Sequence, residues 1–126
     1  MPYHVSKQTF GRLVEEALAG LPEPFAAHLE EVSVEVKDRP SRKQLKELGL
    51  GEDELLLGLY VGRAMTQRSV LDSGALPDVI YVFQEDVEAV SGNERDLLRE
   101  IRTTVLHELG HHFGMDEEDL DALGYG

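Results

Sequence analysis

A chain of 126 residues with 25 acidic against 12 basic side chains carries a formal net charge of −13. That charge repels nucleic acid and anionic membrane surfaces and argues against both as partners. With no cysteine there is no disulfide framework and no thiolate site, so any metal has to be held by histidine and carboxylate.

Ser6 is the expected N-cap of a first helix, whose apolar stripe runs through Phe10, Leu13, Val14, Ala17 and Leu18 until Gly20 ends it. A short helical turn is expected over residues 25–29. Val32, Val34 and Val36 alternate with Ser33, Glu35 and Lys37, the pattern of a half-buried strand, closed by Asp38-Arg39-Pro40. Residues 41–48 read as a capped helix ending at Gly49. The runs 55–61 and 79–83 are apolar, rich in β-formers and bounded by Gly, Pro and Asp, and are expected to be strands buried on both faces. Between them, residues 62–77 are polar with two glycines, the best candidate for a mobile loop. Ser91-Gly92-Asn93-Glu94 then offers two starts for a long helix, a capping box of Ser91 with Glu94 or an Asn93 N-cap. Leu97, Leu98, Ile101, Val105 and Leu109 recur at three- and four-residue steps, no proline intervenes, and Gly114 is the natural stop. A helix of roughly 20 residues spans about 30 Å. No repeat, low-complexity tract or linker is visible, so residues 1–126 are expected to form a single α+β domain.

Near the end of that long helix stands His107-Glu108-Leu109-Gly110-His111, an H-E-x-x-H sequence. Histidines four residues apart share a helix face about one turn apart, so their imidazoles can converge on one zinc ion while Glu108 stays free to act on its water. Chance predicts roughly 0.02 such motifs in a chain of this composition. After Gly114 comes Met115-Asp116-Glu117-Glu118-Asp119, a dense choice of carboxylates for a third ligand. Asp116 and Glu117 are both in contention there.

The run His107-Glu108-Leu109-Gly110-His111-His112-Phe113-Gly114-Met115-Asp116-Glu117 resembles the signature of the small bacterial zincin-like metallopeptidases, the minimal zincins, H-E-x-x-H-H-F-G followed by an acidic residue at the position of Glu117. The resemblance extends through Leu56-Leu57-Gly58-Leu59-Tyr60, Leu76-Pro77-Asp78 and Ala122-Leu123-Gly124-Tyr125. It implies a minimal zincin-like domain, a small mixed sheet packed against helices that include the active-site helix. It also implies Zn2+ held by His107, His111 and Glu117, with Glu108 as general base and Asp116 as the alternative ligand.

Other residues have plainer readings. His4 and His28 are expected to be satisfied histidines. His112 lies about 100° around the helix from His111, away from the metal face, and is expected to pack or hydrogen-bond. Phe113 and Met115 are expected in the core, and Tyr125 in C-terminal packing. The carboxylates of 116–121 are expected to be mostly a solvated face, and near a metal they favour basic or unfolded substrates over acidic ones. The expected function is zinc-dependent hydrolysis of peptides or unfolded protein. The alternatives are a catalytically weak zinc-binding domain that recognises a protein partner, and a module whose motif is incidental. Met1-Pro2-Tyr3-His4 is no basic-plus-apolar leader and no run reaches membrane-spanning length, which makes a cytoplasmic location the expectation.

Overall fold

The computed structural model describes residues 2–62 and 78–122, apart from the side chains of Glu117 and Asp121. The expected loop over 62–77, all but Gly62, lies outside the described residues, as does Tyr125. In chain order come α1 (Lys7–Ala19), α2 (Phe25–His28), a 3-10 turn (Leu29–Glu31), β1 (Val32–Lys37), α3 (Arg42–Glu47), β2 (Gly58–Val61), β3 (Asp78–Phe83), α4 (Gln84–Ala89), α5 (Glu94–His112) and α6 (Glu117–Ala122). The fold is α+β. Its sheet has the order β1-β3-β2, with β1 parallel and β2 antiparallel to the central β3.

Sequence chemistry accounts for most of these boundaries. The Ser6 hydroxyl accepts from the Thr9 N–H at 3.1 Å, satisfying one of the donors a helix start leaves unpaired. Ser41 and Gln44 form a complete capping box on α3. Of the two starts open to α5, Asn93 is the one used: its side chain accepts from the Asp96 N–H at 2.8 Å. Ser91 instead turns back and donates to the Val87 carbonyl at 2.8 Å, closing α4.

Pairs Val34↔Ile80 and Val36↔Val82 in the β1–β3 register put one valine-rich face of the sheet inward. That face meets the α5 stripe of Leu97, Ile101, Val105 and Leu109, and α1 contributes Phe10, Leu13 and Ala17 to the same core. Burial of such side chains contributes about 1.5–3 kcal/mol each, which is what holds the long helix in place.

Three expectations need correction. The run 55–61 is a strand only from Gly58, because the Leu56 N–H donates to the Asp86 carboxylate at 2.9 Å rather than to a neighbouring strand, and Leu55 is 47% exposed. Nor is β2 buried on both faces: among the described residues it is an edge strand, and its Leu59, Tyr60 and Val61 are half-buried. Helices α4 and α6 have six residues each and were not anticipated. Their anchors, Val87 in α4 and Leu120 in α6, are too few to make a periodic pattern.

A buried ion pair fixes the approach to β2. Asp86 is 1% exposed in its side chain and receives Arg39 through Nε at 2.8 Å and Nη2 at 3.3 Å. The same guanidinium reaches the carbonyls of Glu52 and Glu54, and Asp86 also holds the Leu56 N–H. One residue thus joins the end of β1 to the segment leading into β2. Replacing Arg39 by Met leaves the Asp86 charge buried with its main partner gone. The expected cost is about 2 kcal/mol, below the roughly 3–5 kcal/mol of a fully buried pair because Arg39 itself is partly solvated. Denaturant unfolding checks it, and a loss under about 0.5 kcal/mol, within the range of ordinary surface substitutions, would contradict the assignment.

Candidate active site

The long helix ends where its sequence dictates. Gly114, at φ +84°, takes the left-handed conformation that side chains disfavour. The Met115 N–H donates to the Gly110 carbonyl at 2.7 Å and the Gly114 N–H to the His111 carbonyl at 3.1 Å, a Schellman arrangement that satisfies the last carbonyls of α5. The chain then doubles back into α6, whose buried Leu120 seats against Gly110 of α5.

His107 and His111 share a face of α5, with ring centroids 6.1 Å apart and ring planes perpendicular. His107 is half-buried and His111 exposed. The carboxylates after Gly114 have different roles. Asp116 and Asp119 cap each other reciprocally at the start of α6: the Asp119 N–H donates to Asp116 Oδ1 at 2.9 Å, and the Asp116 N–H to Asp119 Oδ2 at 3.1 Å. The Asp116 carboxylate is therefore engaged by the helix it starts. The Glu117 backbone opens α6, while its side chain lies outside the described residues. Among the described residues no three His, Cys, Asp or Glu side chains converge as a metal site requires.

Glu108 points from α5 toward the edge strand β2, and a missing side chain permits this. A Cβ at Gly58 would collide with the Thr104 methyl and stand 3.1 Å from the Tyr81 carbonyl oxygen. Only glycine lets the strand lie this close to the helix. The Tyr60 N–H, on the open edge of β2, then donates to Glu108 Oε1 at 3.2 Å. Burial pushes the Glu108 carboxyl above the usual carboxylate range. The Tyr60 N–H and the charges of His111 and His107 pull the other way without cancelling it.

Tyr60 is the residue the sequence reading passed over. Its phenol donates to Asp78 at 2.7 Å, and its ring stacks on His112 at 4.1 Å and 12°. His112 Nε2 stands 3.8 Å from the same carboxylate. As expected, His112 faces away from the His107–His111 face and packs. Tyr60 and Asp78 both lie in segments that carry the family resemblance, and that was the signal available. Phe113 is a correction: it is 39% exposed rather than in the core, stacked on His28 at 3.7 Å. Met115, half-buried, packs against the core as expected. His4 has its ring 3.2 Å from the buried Glu88, so both it and His28 are satisfied.

The Tyr60 phenol has its pKa raised, first by burial and then by the hydrogen bond to Asp78. A proton held more tightly in the folded state contributes stability below the ordinary tyrosine value of about 10, and that contribution is lost as pH rises through the folded value. Alkaline titration of tyrosinate absorbance tests this cleanly because the chain has four tyrosines and no tryptophan. Subtracting the Tyr60→Phe curve should leave one phenol that ionises only well above about 10. A difference curve with an ordinary midpoint contradicts this half-buried hydrogen bond.

Between α5 and the approach to β2 runs a groove of about 330 Å³, walled by Leu56, Leu57, Gly58, Thr103 and Thr104, with His107 and Glu108 at its head. Glu108 and one of the two paired imidazoles therefore line a concave, largely apolar surface, as ligand sites do.

A family profile described as zincin-like metallopeptidase matches residues 29–126, which includes every residue of this site. Among solved structures, the chain is similar to a conserved hypothetical protein from Thermus thermophilus, at 25% identity and a TM-score of 0.56, over 94% of this chain and 99% of that one. Among curated proteins nothing matches. No helix among the described residues is long and apolar enough to cross a membrane.

Proposed function

This chain belongs to the zincin-like metallopeptidase family, and on that premise we propose that it hydrolyses peptide bonds in extended or unfolded polypeptides. His107, His111 and Glu117 are the residues that would hold zinc, and Glu108 is the general base. The observation that carries the reading is the position of Glu108: beside two histidines on one helix face, held by the Tyr60 N–H, at the head of an apolar groove.

The donor set suits the ion. Two imidazoles and one carboxylate without any thiolate are the ligands of catalytic zinc sites, which keep a position open, whereas structural sites are closed by four. The capping role of Asp116 leaves Glu117 as the better third donor. Zinc, when bound, supplies a Lewis acid that acidifies water and polarises a carbonyl. The chain's own residues do the rest. Glu108 takes a proton from the attacking water and passes it to the departing amine. Its raised pKa makes the carboxylate a stronger base for the first half of that task. The Tyr60 N–H fixes one oxygen of the carboxylate and leaves the other outside that bond. Desolvation by Leu56, Leu57 and the Thr104 methyl strengthens each polar contact at the head of the groove.

An unfolded substrate follows from the shape. The groove is open, small and leads up to the start of the edge strand β2, so an extended chain can lay one side chain in it where a folded surface does not reach. The test is cleavage of a reduced, unfolded polypeptide by the zinc-loaded protein, followed by mass spectrometry. Discrete cuts that a chelator abolishes and added zinc restores are expected. No cleavage across a broad peptide library, by protein shown to carry zinc, would leave the second reading, a zinc-binding domain that recognises a partner.

A further inference from the structure

The groove beside Glu108 has a second carboxylate. Glu100 is half-buried, lines the same groove and makes no hydrogen bond or ion pair among the described residues. Every other half-buried or buried acidic side chain on the described part of α4 and α5 is engaged: Asp86 by Arg39 and Leu56, Glu88 by His4, Val5 and Gln84, Asp96 by Arg99 and Gly92, Glu108 by Tyr60. Glu100, Thr103, Thr104 and His107 fall at three- and four-residue steps, so they share one face of α5. From His107 back to Glu100 is seven residues, about 10 Å along the helix. The stretch between them is largely apolar, lined by Leu56, Leu57, Gly58, Thr103 and Thr104.

We infer that this groove is a side-chain subsite that selects lysine or arginine next to the bond to be cut, with Glu100 receiving the cationic head. The inference rests on the peptidase reading and names its substrate class. A long alkyl stem lies along apolar surface while its charged end reaches polar ground, which is the way lysine and arginine are ordinarily half-buried. The volume, about 330 Å³, is at the small end of ligand pockets and suits one side chain rather than a length of peptide. A neutral apolar residue fits the stem region but leaves Glu100 desolvated without a partner, and an acidic residue meets it as a like charge. The net charge of −13 acts in the same direction by concentrating cationic peptides near the surface.

The test is a titration of the full-length, zinc-loaded Glu108→Gln protein, in which glutamine keeps an acceptor for the Tyr60 N–H but no base. The probes are three capped tripeptides, acetyl-Ala-Lys-Ala-amide and its norleucine and glutamate counterparts, followed by backbone amide NMR. The lysine peptide should bind roughly five- to tenfold more tightly than the norleucine one, the scale of a partly solvated charge-assisted contact. The glutamate peptide should bind most weakly, and the shifts should centre on Leu57, Gly58, Thr103 and Thr104. Glu100→Gln in the same background should bring the lysine-to-norleucine ratio to about one, and raising the salt should erode it in the parent. Equal binding of the three peptides, or a lysine preference that survives Glu100→Gln, overturns the inference. Failure of the peptidase reading has a different signature: lysine selectivity in the groove of a protein whose wild-type form cleaves nothing.

Discussion

Glu108→Gln should lower peptide hydrolysis by at least the ~10²-fold expected for loss of a general base, while zinc content and folding survive. The geometry explains why the two effects separate. Glu108 lies one residue after His107, about 100° around the helix, and its side chain is turned to β2, where the Tyr60 N–H donates to it. Glutamine offers the same acceptor oxygen in the same volume, so the contact between α5 and β2 persists. What is lost is the capacity to take and return a proton. Substituting a neutral group at a desolvated position also removes a charge whose burial is unfavourable, so the variant should be no less stable than the parent. Peptide cleavage, metal analysis and thermal unfolding on one preparation decide the matter. Unchanged hydrolysis points to a contaminating protease or to a domain whose metal serves binding. Loss of zinc instead makes Glu108 a ligand and contradicts the zincin mechanism.

His107→Ala and His111→Ala should each abolish stoichiometric zinc, because neither imidazole has a substitute on its face of α5. The consequence reaches stability. An ion that binds the folded chain at one hundred times its dissociation constant adds about 2.7 kcal/mol, so the wild type should melt higher with zinc than with a chelator, and the two variants should not. The carboxylates give a finer contrast. Glu117→Ala should weaken zinc far more than Asp116→Ala. Asp116→Ala should instead destabilise the protein by about 1 kcal/mol with or without metal, since it removes the cap that the Asp119 N–H uses. Retention of zinc at the wild-type ratio by both histidine variants would mean the site is elsewhere. The reverse order of the two acidic variants would move the third ligand to Asp116.

Local signals carried much of this molecule. Caps at Ser6, Ser41 and Asn93, the alternation in Val32 to Lys37 and the stop at Gly114 are each decided by a few neighbouring residues, so they are readable from the chain itself. The His107–His111 pair belongs to the same class, because a four-residue step on a helix determines that the two imidazoles share a face. The family resemblance lay in contiguous residues and was equally legible.

What tertiary structure decided is which parts of the chain meet. Periodicity cannot say that residues 55–61 form a strand only from Gly58, because the Asp86 carboxylate that captures the Leu56 N–H comes from a helix thirty residues further on. Nor can it say that Phe113 stays at the surface against His28, or that Asp116 is taken by Asp119 as a cap. The largest consequence concerns Tyr60. Its role rests on a backbone N–H left open because β2 is an edge strand, and on a glycine two residues earlier that lets α5 approach to hydrogen-bonding distance. Sequence alone named the histidines and the glutamate, since their relation is built into one helix. The donor that holds the glutamate, the groove it faces and the Glu100 carboxylate along that groove arise only when the helix is laid across the strand.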